Sequence, residues 1–93
     1  MQSATIVLAV LLTLGPALAA DLPREVAAFV ARRDRCDHFR GEDPADPVRS
    51  AQIARALEVN CRGTDAELAR LKRRHGGDPA IRARLGRYDP QVE

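Results

Sequence analysis

Aromatic residues are nearly missing from this chain: two Phe, one Tyr and no Trp in 93 residues. A single small domain with so few large rings buries little apolar surface, and domains of that size often need a covalent staple. The groups that carry acid–base and nucleophilic chemistry are also scarce, with two His and two Cys. There is no Ser-His-Asp arrangement, no H-E-x-x-H, no Gly-rich phosphate loop and no paired-carboxylate pattern. A net charge of +2 falls well short of the basic face that nucleic-acid binding requires. These shortages argue against an enzyme and against a nucleic-acid partner, and no cofactor is implied.

Charge itself is missing from the first twenty residues. Met1 to Ala20 contains no Asp, Glu, Lys or Arg, and all 15 basic and 13 acidic residues follow it. Inside this stretch Ile6 to Leu14 is a nearly unbroken apolar run, then Gly15-Pro16 breaks it and Ala17-Leu18-Ala19 follows. An apolar run, a helix breaker and a small-x-small triplet are the ending of a secretory signal peptide. Signal peptidase needs small side chains at the first and third positions before the cut. The expected cleavage is therefore after Ala19, with the bond after Ala20 second. The alternative, a short membrane anchor, is disfavoured because a span needs ~20 apolar residues. Residues 20–93 are then a periplasmic or secreted domain with no stable membrane span. Its basic residues are all Arg except Lys72.

Export sets the reading of Cys36 and Cys61. Oxidising compartments pair lone thiols, and two cysteines allow one intrachain bond. The rival reading is chemical, since Cys36-Asp37-His38 could serve as a nucleophile or a metal cluster. Neighbours at i and i+2 on a helix point to different sides, however, which weakens that constellation.

The remaining residues spell helices. Asp21-Leu22-Pro23, Asp46-Pro47 and Asp78-Pro79 read as helix starts, because Pro suits the first helical position and Asp accepts the unpaired N–H groups. Thr64-Asp65-Ala66-Glu67 reads as a capping box. Gly41, Gly63 and Gly76-Gly77 sit where left-handed C-caps are expected. Four helices follow, at about residues 23–40, 47–62, 65–75 and 79–88. Their inward stripes are Val26, Phe29, Val30, Cys36 and Phe39, then Ile53, Ala54, Leu57 and Cys61, then Leu68 and Leu71, then Ile81, Leu85 and Tyr88. The expected fold is all-α: a small bundle of four short helices with one disulfide, after the signal peptide. The Gly41 to Asp46 connector should be extended, so that Cys61 at the far end of the second helix can reach Cys36. The tail 89–93 is expected to fray.

Two surfaces could bind a partner. The first is the end of the first helix and its connector: His38, Phe39, Arg40, Glu42 and Asp43. A calcium loop among Glu42, Asp43 and Asp46 is disfavoured for lack of alternating oxygens and a bend glycine. The second is the basic run Lys72, Arg73, Arg74 and His75, with Arg82, Arg84 and Arg87 following. It could meet anionic lipid or an acidic partner.

The segments Cys36-Asp37-His38-Phe39-Arg40-Gly41-Glu42 and Cys61-Arg62-Gly63-Thr64-Asp65-Ala66-Glu67-Leu68 resemble small exported two-cysteine hypothetical proteins of proteobacteria, over most of residues 20–93. That resemblance implies export and the cysteine pair. It brings no catalytic residue with it. The expected role is a non-enzymatic binding module of the cell envelope, with a protein or envelope component as partner. The alternative is a periplasmic metal-handling protein using His38, His75 and the cysteines. A thiol enzyme is a distant third.

Overall fold

A computed structural model describes residues 22–93. The signal-peptide expectation and the Asp21 cap lie outside them. The described residues form four helices, α1 Arg24–Arg40, α2 Pro47–Cys61, α3 Thr64–Arg74 and α4 Pro79–Leu85. No strand occurs among the described residues.

Local chemistry explains most of the boundaries. Asp46 accepts from the backbone N–H of Val48 and Arg49, and Asp78 accepts from Ala80 and Ile81, each with Pro next in sequence. The capping box at Thr64 does not form. Gly63 turns the chain in the left-handed region at φ 80°, which a side chain would resist. The Thr64 hydroxyl donates back to the Cys61 carbonyl at 2.8 Å instead. Gly63 thus takes the left-handed conformation expected of it after α2, and the other glycines do not. Among the described residues Gly63 alone has positive φ. Gly41 closes α1 in the right-handed region, its N–H bonding the His38 carbonyl at 3.1 Å. The last turn after α4 tightens to i−3 bonds, with Tyr88 N–H donating to the Leu85 carbonyl, and this carries Tyr88 onto the core.

The core is built by three of the four helices. Val26 and Phe29 of α1, Leu68 and Leu71 of α3, and Ile81 and Leu85 of α4 form one cluster with Tyr88. The Phe29 and Tyr88 rings meet edge to face at 5.5 Å, a favoured aromatic geometry. Helix α2 contributes no residue to this cluster. It packs on α1 through Ile53, an Arg35–Asn60 hydrogen bond of 3.0 Å and the Cys36–Cys61 disulfide, whose Cα atoms are 4.9 Å apart. Its expected inward residues are only partly right: Ile53 and Cys61 are buried, Leu57 is half-buried and Ala54 is exposed. Val30 and Phe39 on α1 are likewise only half-buried.

The buried stripe of α1 runs Val26, Phe29, Arg33, Cys36. Arg33 is thus a fully buried cation at 0 % exposure, in phase with the apolar positions on either side of it. The tail is not frayed either. Residues 89–93 fold back onto the start of α3, where both carboxylate oxygens of Glu93 take backbone N–H groups, at 2.8 Å from Gly63 and 3.0 Å from Asp65. The Glu67 N–H that Thr64 would have capped bonds the Gly63 carbonyl at 3.0 Å instead, since the helix begins at Thr64 itself.

Candidate functional site

The end of α1 and the connector do gather the expected residues. Arg49 of α2 reaches back to Glu42 with Nη2 at 2.8 Å, and its guanidinium lies 5.9 Å over the Phe39 ring. His38 completes the cluster: its Nε2 lies 3.1 Å from Glu42, and its ring meets the Phe39 ring edge-on at 5.0 Å. Arg40 pairs with Asp37 at 3.2 Å, and Asp43 stands exposed beside the group. The hydrogen bond from Arg49 holds the Glu42 carboxyl below the usual carboxylate range. Glu42 is thus spent on Arg49 and His38, and Asp46 is spent on its cap. The acidic connector does not converge its oxygens on one point.

The basic run is partly neutralised in the same way. Glu25 of α1 faces His75 at 2.9 Å, Arg74 at 3.4 Å and Arg70 at 3.5 Å. The hydrogen bond with His75, helped by the two arginines, holds the Glu25 carboxyl low. Arg82 donates to the Gly76 carbonyl at 2.8 Å. Arg84 lies 5.2 Å over the Tyr88 ring and 3.8 Å from Asp34. Lys72, Arg73 and Arg87 have no ion-pair partner among the described residues. The basic surface is therefore a few cations interleaved with Glu25 and Asp34, and not a continuous field.

His38 and His75 do not share a site. His75 sits on Glu25, and Glu25 and His38 are thirteen residues apart on α1, about 20 Å at 1.5 Å per residue. Both sulfurs are committed to the disulfide, with Cys36 fully buried. A metal reading would need each histidine to leave its glutamate and act alone. Among the described residues no group of three or more His, Cys, Asp or Glu side chains could hold an ion together.

Two features escaped the sequence reading. One is the setting of Arg33. Its Nε donates to Asp37 at 3.1 Å, Nη2 donates to the Asp89 carbonyl, and Nη1 lies 3.6 Å from the Asp65 carboxylate with no hydrogen bond of its own. The Tyr88 ring stands 5.7 Å from its guanidinium carbon. Spacing was the available signal, since 26, 29, 33 and 36 continue one stripe; the charge of Arg33 argued the other way. The second feature is the outer face of α2, where Val48 and Val59 are 66 % and 65 % exposed. No periodic signal marks them, because they lie opposite the buried stripe.

Tyr88 offers a direct check on this packing. Burial first, and then its 2.8 Å hydrogen bond to Asp34, push the phenol up to about 12. The folded protein favours the neutral phenol, so this contribution to stability is complete below about pH 10 and disappears as pH rises toward the folded value. With one Tyr and no Trp, an ultraviolet absorbance titration reads this group alone. The midpoint should lie near 12 and should drop in Asp34→Ala. A midpoint near 10 in the folded wild type would contradict the burial of Tyr88.

Comparison with protein-family models, with curated proteins and with solved structures finds no match to this chain.

Proposed function

We propose that this protein is an exported, non-enzymatic binding module of the cell envelope that meets a protein partner through the outer face of α2 and the adjoining connector. One observation carries the choice of face. The two exposed large hydrophobics among the described residues, Val48 and Val59, lie on the same side of one helix, eleven residues and three turns apart. Between them on that side stand Ala51, Gln52 and Arg55, all exposed. An apolar side chain left in water at both ends of a helix face is a cost that binding would recover. Helix α2 packs on α1 through its opposite side, with Ile53 and Cys61 buried there, and its outer face meets no other helix among the described residues.

Export is supported by the uncharged leader with its Ala-x-Ala ending and by the closed disulfide, which fits an oxidising compartment. No helix among the described residues is long and apolar enough to cross a membrane. The absence of enzymatic activity is supported by what the reactive side chains already do. The cysteines are bonded to each other, and each histidine rests on a glutamate. The resemblance to small exported two-cysteine proteins of proteobacteria agrees with this reading.

Photo-reactive residues placed one at a time at Val48, Val59, Asp43 and Arg73 test the assignment in the native envelope. Crosslinks to one protein should come from positions 48 and 59, and more weakly from 43. Val48→Asp should abolish the crosslink from position 59 while changing stability by less than about 0.5 kcal/mol, as for an exposed surface site. Crosslinking from Arg73 alone would move the interface to the basic surface and overturn the proposal.

A further inference from the structure

We infer that residues 89–93 form an acid-releasable latch, closed by the Asp65 and Glu93 carboxylates over the buried guanidinium of Arg33. The closure is reciprocal. Asp65 accepts the backbone N–H of Val92 at 3.0 Å and of Glu93 at 2.9 Å. Glu93 in turn accepts the N–H of Asp65 at 3.0 Å and of Gly63 at 2.8 Å. Each carboxylate holds the backbone of the segment that carries the other. Beneath them, Arg33 donates to the Asp89 carbonyl and faces Asp65.

This arrangement needs both acids ionised. A carboxylate is an acceptor at both oxygens, whereas a protonated acid turns one of them into a donor. In the latch both oxygens of each acid already accept N–H groups, so protonation weakens an acceptor that is in use at either oxygen. The charged neighbours favour closure at Asp65, where Arg33 and Arg40 of α1 act. At Glu93 the repulsion from Asp65 exceeds the pull of Arg32 of α1, and closure there rests on the N–H groups of Asp65 and Gly63. Arg33 is balanced by Asp37, and Arg32 is paired with Glu67 of α3. On the α2 side, Glu58 and Arg62 border the hollow beside Glu93 and pair with one another. Burial pushes the Asp65 carboxyl up, but the N–H groups of Glu93 and Val92 with Arg33 outweigh it, and the group sits below its ordinary range. Glu93 is held low by the N–H groups of Asp65 and Gly63. Both folded values being depressed, closure is complete above the ordinary carboxylate range and is lost as pH falls through the lower folded values.

The consequence is a two-position tail. At neutral pH it covers Arg33, which is wholly inaccessible. Released, it withdraws the Asp89 carbonyl and opens the guanidinium and the first amides of α3 to solvent, while the apolar cluster of α1, α3 and α4 stays intact.

Amide exchange followed by NMR on the oxidised protein tests this between neutral pH and about pH 2, well below the ordinary Asp and Glu values and therefore into the range where the depressed groups protonate. Protection at Gly63, Asp65, Val92 and Glu93 should fall by about tenfold or more, the scale of losing hydrogen bonds to charged groups. The Leu68 and Leu71 amides should keep theirs. Glu93→Gln keeps the side-chain size and removes the charge, so the same four amides should be exposed already at neutral pH. Unchanged protection in acid, loss only together with Leu68 and Leu71, or a Glu93→Gln protein as protected as wild type would each overturn the latch.

Discussion

Replacing Cys36 with alanine should lower the melting temperature of the oxidised protein by roughly 15–25 °C and release α2 from the rest of the chain. The cysteines are 25 residues apart, and closing a loop of that length restricts the unfolded chain by about 3–4 kcal/mol on the entropy model. For a domain of this size that is a large part of the whole stability. The effect should also be uneven. The cluster of Val26, Phe29, Leu68, Leu71, Ile81, Leu85 and Tyr88 has no member on α2, so the bond anchors a helix that the core does not hold. Without it, α2 retains Ile53, the Arg35–Asn60 contact and the Arg49–Glu42 pair. A surface ion pair of that kind contributes about 0–1 kcal/mol. Hydrogen exchange should therefore rise first along Pro47–Cys61, before the α3 amides. A melting temperature equal to wild type under non-reducing conditions, or uniform exchange over all four helices, would remove the staple from the account.

Arg33→Ala is the second change with a large expected effect, about 3 kcal/mol of destabilisation, the cost typical of removing one partner from a buried ion pair. Three things are lost at once. The stem of the side chain leaves a void in the α1 stripe. Asp37 loses one of its two arginines and keeps Arg40, and Asp65 loses the charge behind it. The tail loses the donor on the Asp89 carbonyl. Asp37 and Asp65 keep some contact with water, so hydration softens their part. Arg33→Met separates packing from charge. It refills most of the volume, and buried ion pairs replaced by apolar groups of similar size often cost little; its penalty should be less than half that of Arg33→Ala. Chemical denaturation of the three proteins measures the difference. An Arg33→Ala protein within about 0.5 kcal/mol of wild type would show that the guanidinium is dispensable.

Short-range rules found the helices because their causes are short-range. Asp46-Pro47 and Asp78-Pro79 place a carboxylate within reach of the next N–H groups whatever the rest of the chain does. The spacing of Val26 and Phe29, of Leu68 and Leu71, and of Ile81, Leu85 and Tyr88 picks out the faces that the core buries. The same rules failed at Thr64. The motif there is correct, but Gly63 turns the backbone left-handed, the helix begins at Thr64 itself, and the Glu67 N–H goes to the Gly63 carbonyl. They failed at Arg33 as well. A charge on a buried stripe is tolerable only if partners arrive, and Asp65 and Asp89 come from other parts of the chain. Of the candidate binding residues, His38, Phe39 and Glu42 do cluster, while Arg40 pairs with Asp37 instead. Arg49, which organises them, carries no local mark of that role.

Dihedral preference, side-chain reach over a few residues and the presence of only two thiols were enough to specify an all-helical chain, its turns at Asp-Pro, and the partner of each sulfur. Folding in three dimensions chose which helices share a core, which left α2 tethered with Val48 and Val59 in water, and brought the tail over Arg33. Those choices rest on contacts between residues distant in sequence, where the penalty for burying a charge is met by groups that no local window contains.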